Sequence, residues 1–223
     1  MTVIRKLSLR CPVCVAPFPT DVMLSADLFR GFHTDFLEES GGPETLAALV
    51  HTCPTCSYTG KRPDFDRPER TRVERIKPLL PLLGKDELAE VDGVGRWRLL
   101  GSVREIANDG PALVAEAFHC GAWCARLGGD EAREKDLLAL ALSAYEKALL
   151  PDSNPAGNHG YLAYQVAEVA RRLGRADRAA AAFERVEEFV AKDMLPKYNA
   201  TLVRKLAAIQ KARPVDRVDL SAL

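Results

Sequence analysis

Two short knuckles, Cys11-Pro-Val-Cys14 and Cys53-Pro-Thr-Cys56, constrain this chain more than any other feature. Each can hold two thiolates about 2.3 Å from one cation, and two such pairs complete a tetrahedral shell. Cys11, Cys14, Cys53 and Cys56 are therefore the expected metal ligands, with one structural Zn2+ per chain. A shell of four sulfurs leaves no open position for water or substrate, so the ion is expected to build rather than to catalyse. Pro12 and Pro54 suit such turns, because the N–H groups that stabilise the first thiolate come from residues further along. A thioredoxin-like dithiol, the other common use of Cys-x-x-Cys, wants a βαβ context that this proline-punctuated stretch does not offer. The 38 residues between the knuckles leave room for an inserted element, with residues 43–50 as the helical candidate.

Four thiolates around one dication carry a local charge of about minus two. Arg5, Lys6, Arg10, Lys61 and Arg62 lie beside them in sequence, and we read these as charge compensation ahead of a nucleic-acid patch. His51 lies just before Cys53 and is expected outside the full shell, at the surface or behind the ligands; His33 and His159 have no partner motif. The remaining pair, Cys120 and Cys124, is spaced i, i+4 beside His119, and core packing is favoured over a second metal.

Composition changes near residue 111. Residues 1–111 hold 10 of the 14 prolines and 6 of the 31 alanines, so turns and short elements belong there and helices belong beyond. Helical periodicity then predicts five helices, over residues 112–127, 135–150, 161–173, 176–190 and 196–212, with a further helix at 97–107 and a short one at 85–91. Gly128-Gly129-Asp130 and Leu173-Gly174-Arg175 break the pattern, and such short links make neighbouring helices antiparallel.

Placing Leu127-Gly128 over Leu173-Gly174 superposes two helical hairpins of tetratricopeptide character. Val166, Ala167, Ala179 and Phe183 match that pattern in the second hairpin, and Ala141, Tyr145 and Ala148 match its second helix in the first. The first hairpin carries an insertion of 8 residues, either extra helix or a longer link. A plain helical bundle with alanine-rich interfaces is the competing arrangement. The expected fold is mainly α: a small zinc-ribbon-like module (1–66), linker and capping helices (67–111), and antiparallel tetratricopeptide-like hairpins (112–223).

The knuckles, the intervening Thr34-Asp35-Phe36, the continuation Cys56-Ser57-Tyr58 and the helical repeats resemble an uncharacterised bacterial family, domain of unknown function 2225. The resemblance covers most of the chain. The four metal positions carry over one by one as Cys11, Cys14, Cys53 and Cys56. The family usually has glycine after the second cysteine of each knuckle, where this chain has Val15 and Ser57. The resemblance implies a cytosolic zinc-ribbon and repeat protein and implies no activity.

With 31 basic and 31 acidic residues, the chain has no global field to gather nucleic acid or membrane. No apolar run spans a bilayer and the start lacks a signal-peptide stretch, so the expected location is the cytoplasm, off the membrane. No phosphate loop, activated nucleophile or acid pair is recognisable, and Asp64 and Asp66 read as turn and cap residues. The leading expectation is a non-enzymatic interaction scaffold whose concave face takes a protein or peptide, acidic in character. Phe118, Ala122, Arg126, Tyr161, Tyr164, Glu168, Arg171 and Arg172 would project there, although Arg171 and Arg172 could equally complement a helix end. The alternative is nucleic-acid binding through the ribbon and the basic stretch Arg67 to Lys77, notably Arg70, Arg72 and Arg75.

Overall fold

The computed structural model describes residues 2–26, 32–38, 41–83, 91–150, 152–153, 158–192 and 197–218. Most of the described chain is helical, and the strands form small antiparallel pairs.

The amino-terminal part is built from two hairpins with a knuckle at each turn. Strand β1 (Val3–Arg10) pairs with β2 (Pro17–Ser25), and Arg10 faces Pro17 across the first knuckle. Phe18, Thr20 and Val22 alternate inward along β2, the period-two pattern of a half-buried strand. Further along, β4 (Val50–Thr52) pairs with β5 (Thr59–Lys61) around the second knuckle. Between the hairpins run the short strand β3 (Phe32–His33) and helix α1 (Pro43–Ala47), which Pro43 opens at its first turn. The expected helix at 43–50 therefore ends early, because Val50, His51 and Thr52 are taken into the sheet.

Two short helices follow, α2 (Arg62–Asp66) and α3 (Arg70–Ile76). Asp64 caps the first by accepting from the Lys61 N–H at 2.8 Å, and Asp66 pairs with Arg62. Pro78 and Pro81 confine the next stretch to a single 3-10 turn, Leu80–Leu82. The expected helix at 85–91 falls almost wholly outside the described residues.

The helical part comprises α4 (Gly93–Ile106), α5 (Pro111–Leu127), α6 (Glu131–Ala148), α7 (His159–Arg172), α8 (Ala176–Lys192) and α9 (Lys197–Ala212). Helices α5 and α6 form one hairpin and α7 and α8 the next, with α4 packed on α5 and α9 on α7 and α8. Helices α5 and α7 are central, each buried on most of its faces. Small residues permit this: Ala115, Ala117, Ala122 and Ala125 on α5 and Ala163, Ala167 and Ala170 on α7 are buried. Cys120 and Cys124 are buried with them, and burial pushes their thiols up to about 12 and about 11, as expected for packing residues.

Of the two hydrophobic clusters, the first crosses the composition boundary and the second lies before it. One joins Phe32 and Val50 to the helices from α4 to α9. The other gathers Leu9, Cys11, Phe18, Cys53, Tyr58 and Phe65 with Ile76, Leu80, Leu99, Val103 and Ala107. Among the described residues no helix is long and apolar enough to cross a membrane.

Candidate metal centre and the filled face of the helical stack

Each knuckle is held by the same pair of backbone bonds. The Cys11 N–H donates to Ala16 O at 3.0 Å and the Val15 N–H to Cys11 O at 3.0 Å; Cys53 to Tyr58 O (2.9 Å) and Ser57 to Cys53 O (2.8 Å) repeat them. Both turns need a left-handed residue after the second cysteine. Val15 has φ 57° and Ser57 φ 64°, so the conformation survives without glycine and is strained at the β-branched Val15.

The two knuckles meet. Cys11 Sγ lies 3.5 Å from Cys56 Sγ and Cys14 Sγ lies 3.5 Å from Cys53 Sγ, and all four sulfurs fall within 4.8 Å of one another. Four sulfurs bound tetrahedrally at about 2.3 Å stand about 3.8 Å apart, so this spacing fits a cation at the centre. Cys11 and Cys53 are buried while Cys14 and Cys56 are half-buried, with Cys11 and Cys53 built into the apolar cluster. The contact with Cys56 and the N–H groups of Cys14 and Val13 bring the Cys11 thiol down to about 5, and the same contact pushes Cys56 up. One thiolate forms readily; four together need a positive ion between them.

His51 is fully buried rather than at the surface. Its Nδ1 lies 3.2 Å from Thr20 Oγ1, its ring stands edge-on to Phe65, and burial with the Arg96 and Arg62 charges lowers it to about 4. Of the basic residues near the ligands, Lys61 reaches across to Glu116 at 2.7 Å and Arg62 pairs with Asp66. In the basic stretch, Arg72 and Arg75 both bind the Asp109 carboxylate, at 2.6 and 3.2 Å, which holds α3 against the end of α4.

The expected concave groove is not open. Residues 32–37, from between the knuckles, lie on the faces of α5 and α7. The Asp35 carboxylate, fully buried, accepts from Arg126 Nη2 at 2.8 Å, Trp123 Nε1 at 3.0 Å and His119 Nε2 at 3.3 Å on one oxygen, and the same oxygen forms an ion pair with Arg172 Nε at 3.2 Å, whose N–H donates to Glu168. Tyr164 donates to Thr34 O at 2.7 Å, Thr34 donates to Glu168 at 2.7 Å, and Phe36 packs on Tyr161 and Tyr164 with ring centres 5.1 and 5.6 Å apart. Arg171 and Arg172 bind Glu168, and Arg171 also takes Asp216 at 2.6 Å, beside the strand pair of β3 with β6 (Arg217–Val218). Of the residues expected at the groove, Arg126 and Arg172 thus pair with Asp35, Tyr161 and Tyr164 pack on Phe36, and Arg171 pairs with Glu168 and Asp216.

Phe118 and Ala122 are elsewhere, buried between helices, with the Phe118 ring against Gly101 of α4. The reason is a register of one residue. Gly129 (φ 75°) and Gly174 (φ 72°) end α5 and α7 with the same bonds: Asp130 to Ala125 O and Gly129 to Arg126 O in one, Arg175 to Ala170 O and Gly174 to Arg171 O in the other. The equivalent glycine is Gly129, not Gly128. One residue is about 100° of helix. The shift brings His119, Trp123 and Arg126 onto the face that Tyr164, Glu168 and Arg171 occupy in the second hairpin. His119 and Trp123 are the site residues that the repeat alignment misses.

In this network His119 Nε2–H donates to the Asp35 carboxylate, and Nδ1 lies 3.1 Å from the Tyr145 hydroxyl. Burial lowers the proton affinity of the ring and so favours its neutral form.

No curated protein and no solved structure matches this chain. A family model does, over residues 4–206, a span that takes in both knuckles, the Thr34-Asp35-Phe36 segment and most of the helical stack, and the chain belongs to that family, described as an uncharacterized protein conserved in bacteria, domain of unknown function 2225.

Proposed function

We propose that the protein is a zinc-stabilised interaction scaffold, in which one Zn2+ bound by Cys11, Cys14, Cys53 and Cys56 fixes a ribbon-like module against tetratricopeptide-like hairpins that bind a protein partner. The observation that carries the reading is the cluster of four sulfurs within 4.8 Å, contributed by two matching hairpin turns. Thiolates favour zinc among the common divalent ions, and a complete four-sulfur shell supports a structural role. The Asp35–His119 pair also supports a structural role, since both side chains are sealed from solvent and each is engaged by several neighbours.

Metal analysis of protein purified without chelators should give one zinc per chain. Cobalt substituted for zinc should show the intense visible bands of a tetrahedral thiolate site, and Cys14→Ser should lose both signals. Protein that carries no transition metal and does not bind cobalt would end this reading.

A further inference from the structure

Because residues 32–37 fill the expected face, a scaffold must present another. Helix α8 carries two neighbouring stripes. Ala179, Phe183, Val186 and Val190 are buried in the core, and Arg178, Ala182, Arg185 and Phe189 recur beside them at heptad spacing and stay open or half-open. The second stripe forms one wall of a groove of about 410 Å³. Glu146, Leu149 and Leu150 at the end of α6 form the other wall, and Val166 of α7 forms the floor.

The charges in this groove do not balance. Arg178 is bound to Glu146 across one end. Arg185 lies over the Phe189 ring at 5.0 Å and pairs with no carboxylate among the described residues. Leu150 is 56% exposed at the rim. The groove thus sets apolar side chains beside one guanidinium that lacks a carboxylate, and its α8 wall from Arg178 to Phe189 runs about 16 Å, three helical turns.

We infer that the groove between α6 and α8 docks an amphipathic helix of a partner protein, apolar residues one turn apart seated against Ala182, Leu150 and Phe189 and an acidic side chain on Arg185. A helix is the occupant that the α8 stripe favours, because positions spaced i, i+4, i+7 and i+11 on one helix receive side chains of the same spacing from another. The acid follows from Arg185, whose planar fork binds a carboxylate in two-point fashion. This inference rests on the scaffold reading and names its surface.

The test is selection from a phage-displayed random peptide library on the full-length, zinc-loaded chain, followed by fluorescence anisotropy of the enriched peptide. The selected sequences should place large apolar residues one turn apart beside Asp or Glu. Arg185→Glu and Leu150→Asp, both at exposed positions, should each weaken binding about ten-fold or more, while Arg204→Glu, in the separate groove between α8 and α9, leaves it unchanged. Enriched peptides that lack acid, or that bind both groove variants as well as they bind the parent, overturn this assignment and leave the scaffold reading standing. A library that yields no binder at all removes the scaffold reading and this surface with it.

Discussion

Val15 and Asp35 show how single side chains are spent in this fold. Val15 occupies a left-handed turn that glycine adopts freely, and its side chain is 59% exposed, so little apolar contact is lost with it. Val15→Gly should therefore raise stability by about 1 kcal/mol, relief of strain outweighing the added freedom of the unfolded chain. A urea midpoint that falls instead would contradict the strain argument. Asp35 is the opposite case, a buried charge whose cost is met by two guanidinium groups and two ring N–H donors. Asp35→Ala should cost about 3 to 5 kcal/mol, since Arg126 and Arg172 lose the charge they are buried against. A loss below about 1 kcal/mol would mean that the network contributes little. Acid sensitivity follows from the same residues. Burial holds His119 below its usual value of 6.5, so its contribution is complete above about pH 6.5 and declines as the pH falls. Burial opposes the charge on Asp35, but the His119 bond and the Arg172 and Arg126 charges hold it well below 3.8, so its share is lost only below about pH 4. His119→Gln should flatten stability between about pH 6.5 and pH 4, and a slope unchanged by the substitution in urea titrations would refute this.

Between elements, close approach decides the arrangement. A Cβ added at Gly101 would stand 2.3 Å from the Phe118 ring, so α4 and α5 can touch only because that residue is glycine. Gly101→Ala should destabilise by about 1 to 3 kcal/mol despite the better helix propensity of alanine, read as a lowered thermal midpoint. The inserted residues of the first hairpin were legible as an insertion but not as helix or link. The structure makes them helix: α6 starts directly after the short Gly128-Gly129-Asp130 break, well ahead of Ala141. The one-residue offset between the hairpins was invisible for a related reason. Either Gly128 or Gly129 could end α5 on pattern alone, and only the bonds from Gly129 and Asp130 to the last turn identify the left-handed one.

Across the molecule, the segment between the knuckles joins the four-cysteine cluster to the helical stack. Both tryptophans donate to it, Trp97 to Leu46 O at 3.0 Å and Trp123 to Asp35 at 3.0 Å. Removing the proposed zinc would free both ends of that segment, so chelation should shift tryptophan emission to longer wavelength, and Cys53→Ser should show the shifted emission from the start. Emission that stays put after the metal is gone would show the segment held by its own contacts alone. Much of this was readable beforehand. The grouping of four cysteines, the short elements among the described residues before 91, and every long helix from α4 to α9 follow from cysteine spacing, proline and alanine placement, and hydrophobic period, all of which act over a few residues of chain. What lay beyond reach was which part of the chain covers the face of α5 and α7. Asp35 is 84 residues from His119 and 137 from Arg172 in sequence, and Thr34 is 134 from Glu168. No local rule pairs a buried carboxylate with donors that distant, because the pairing is set by which surfaces must be covered in the folded chain.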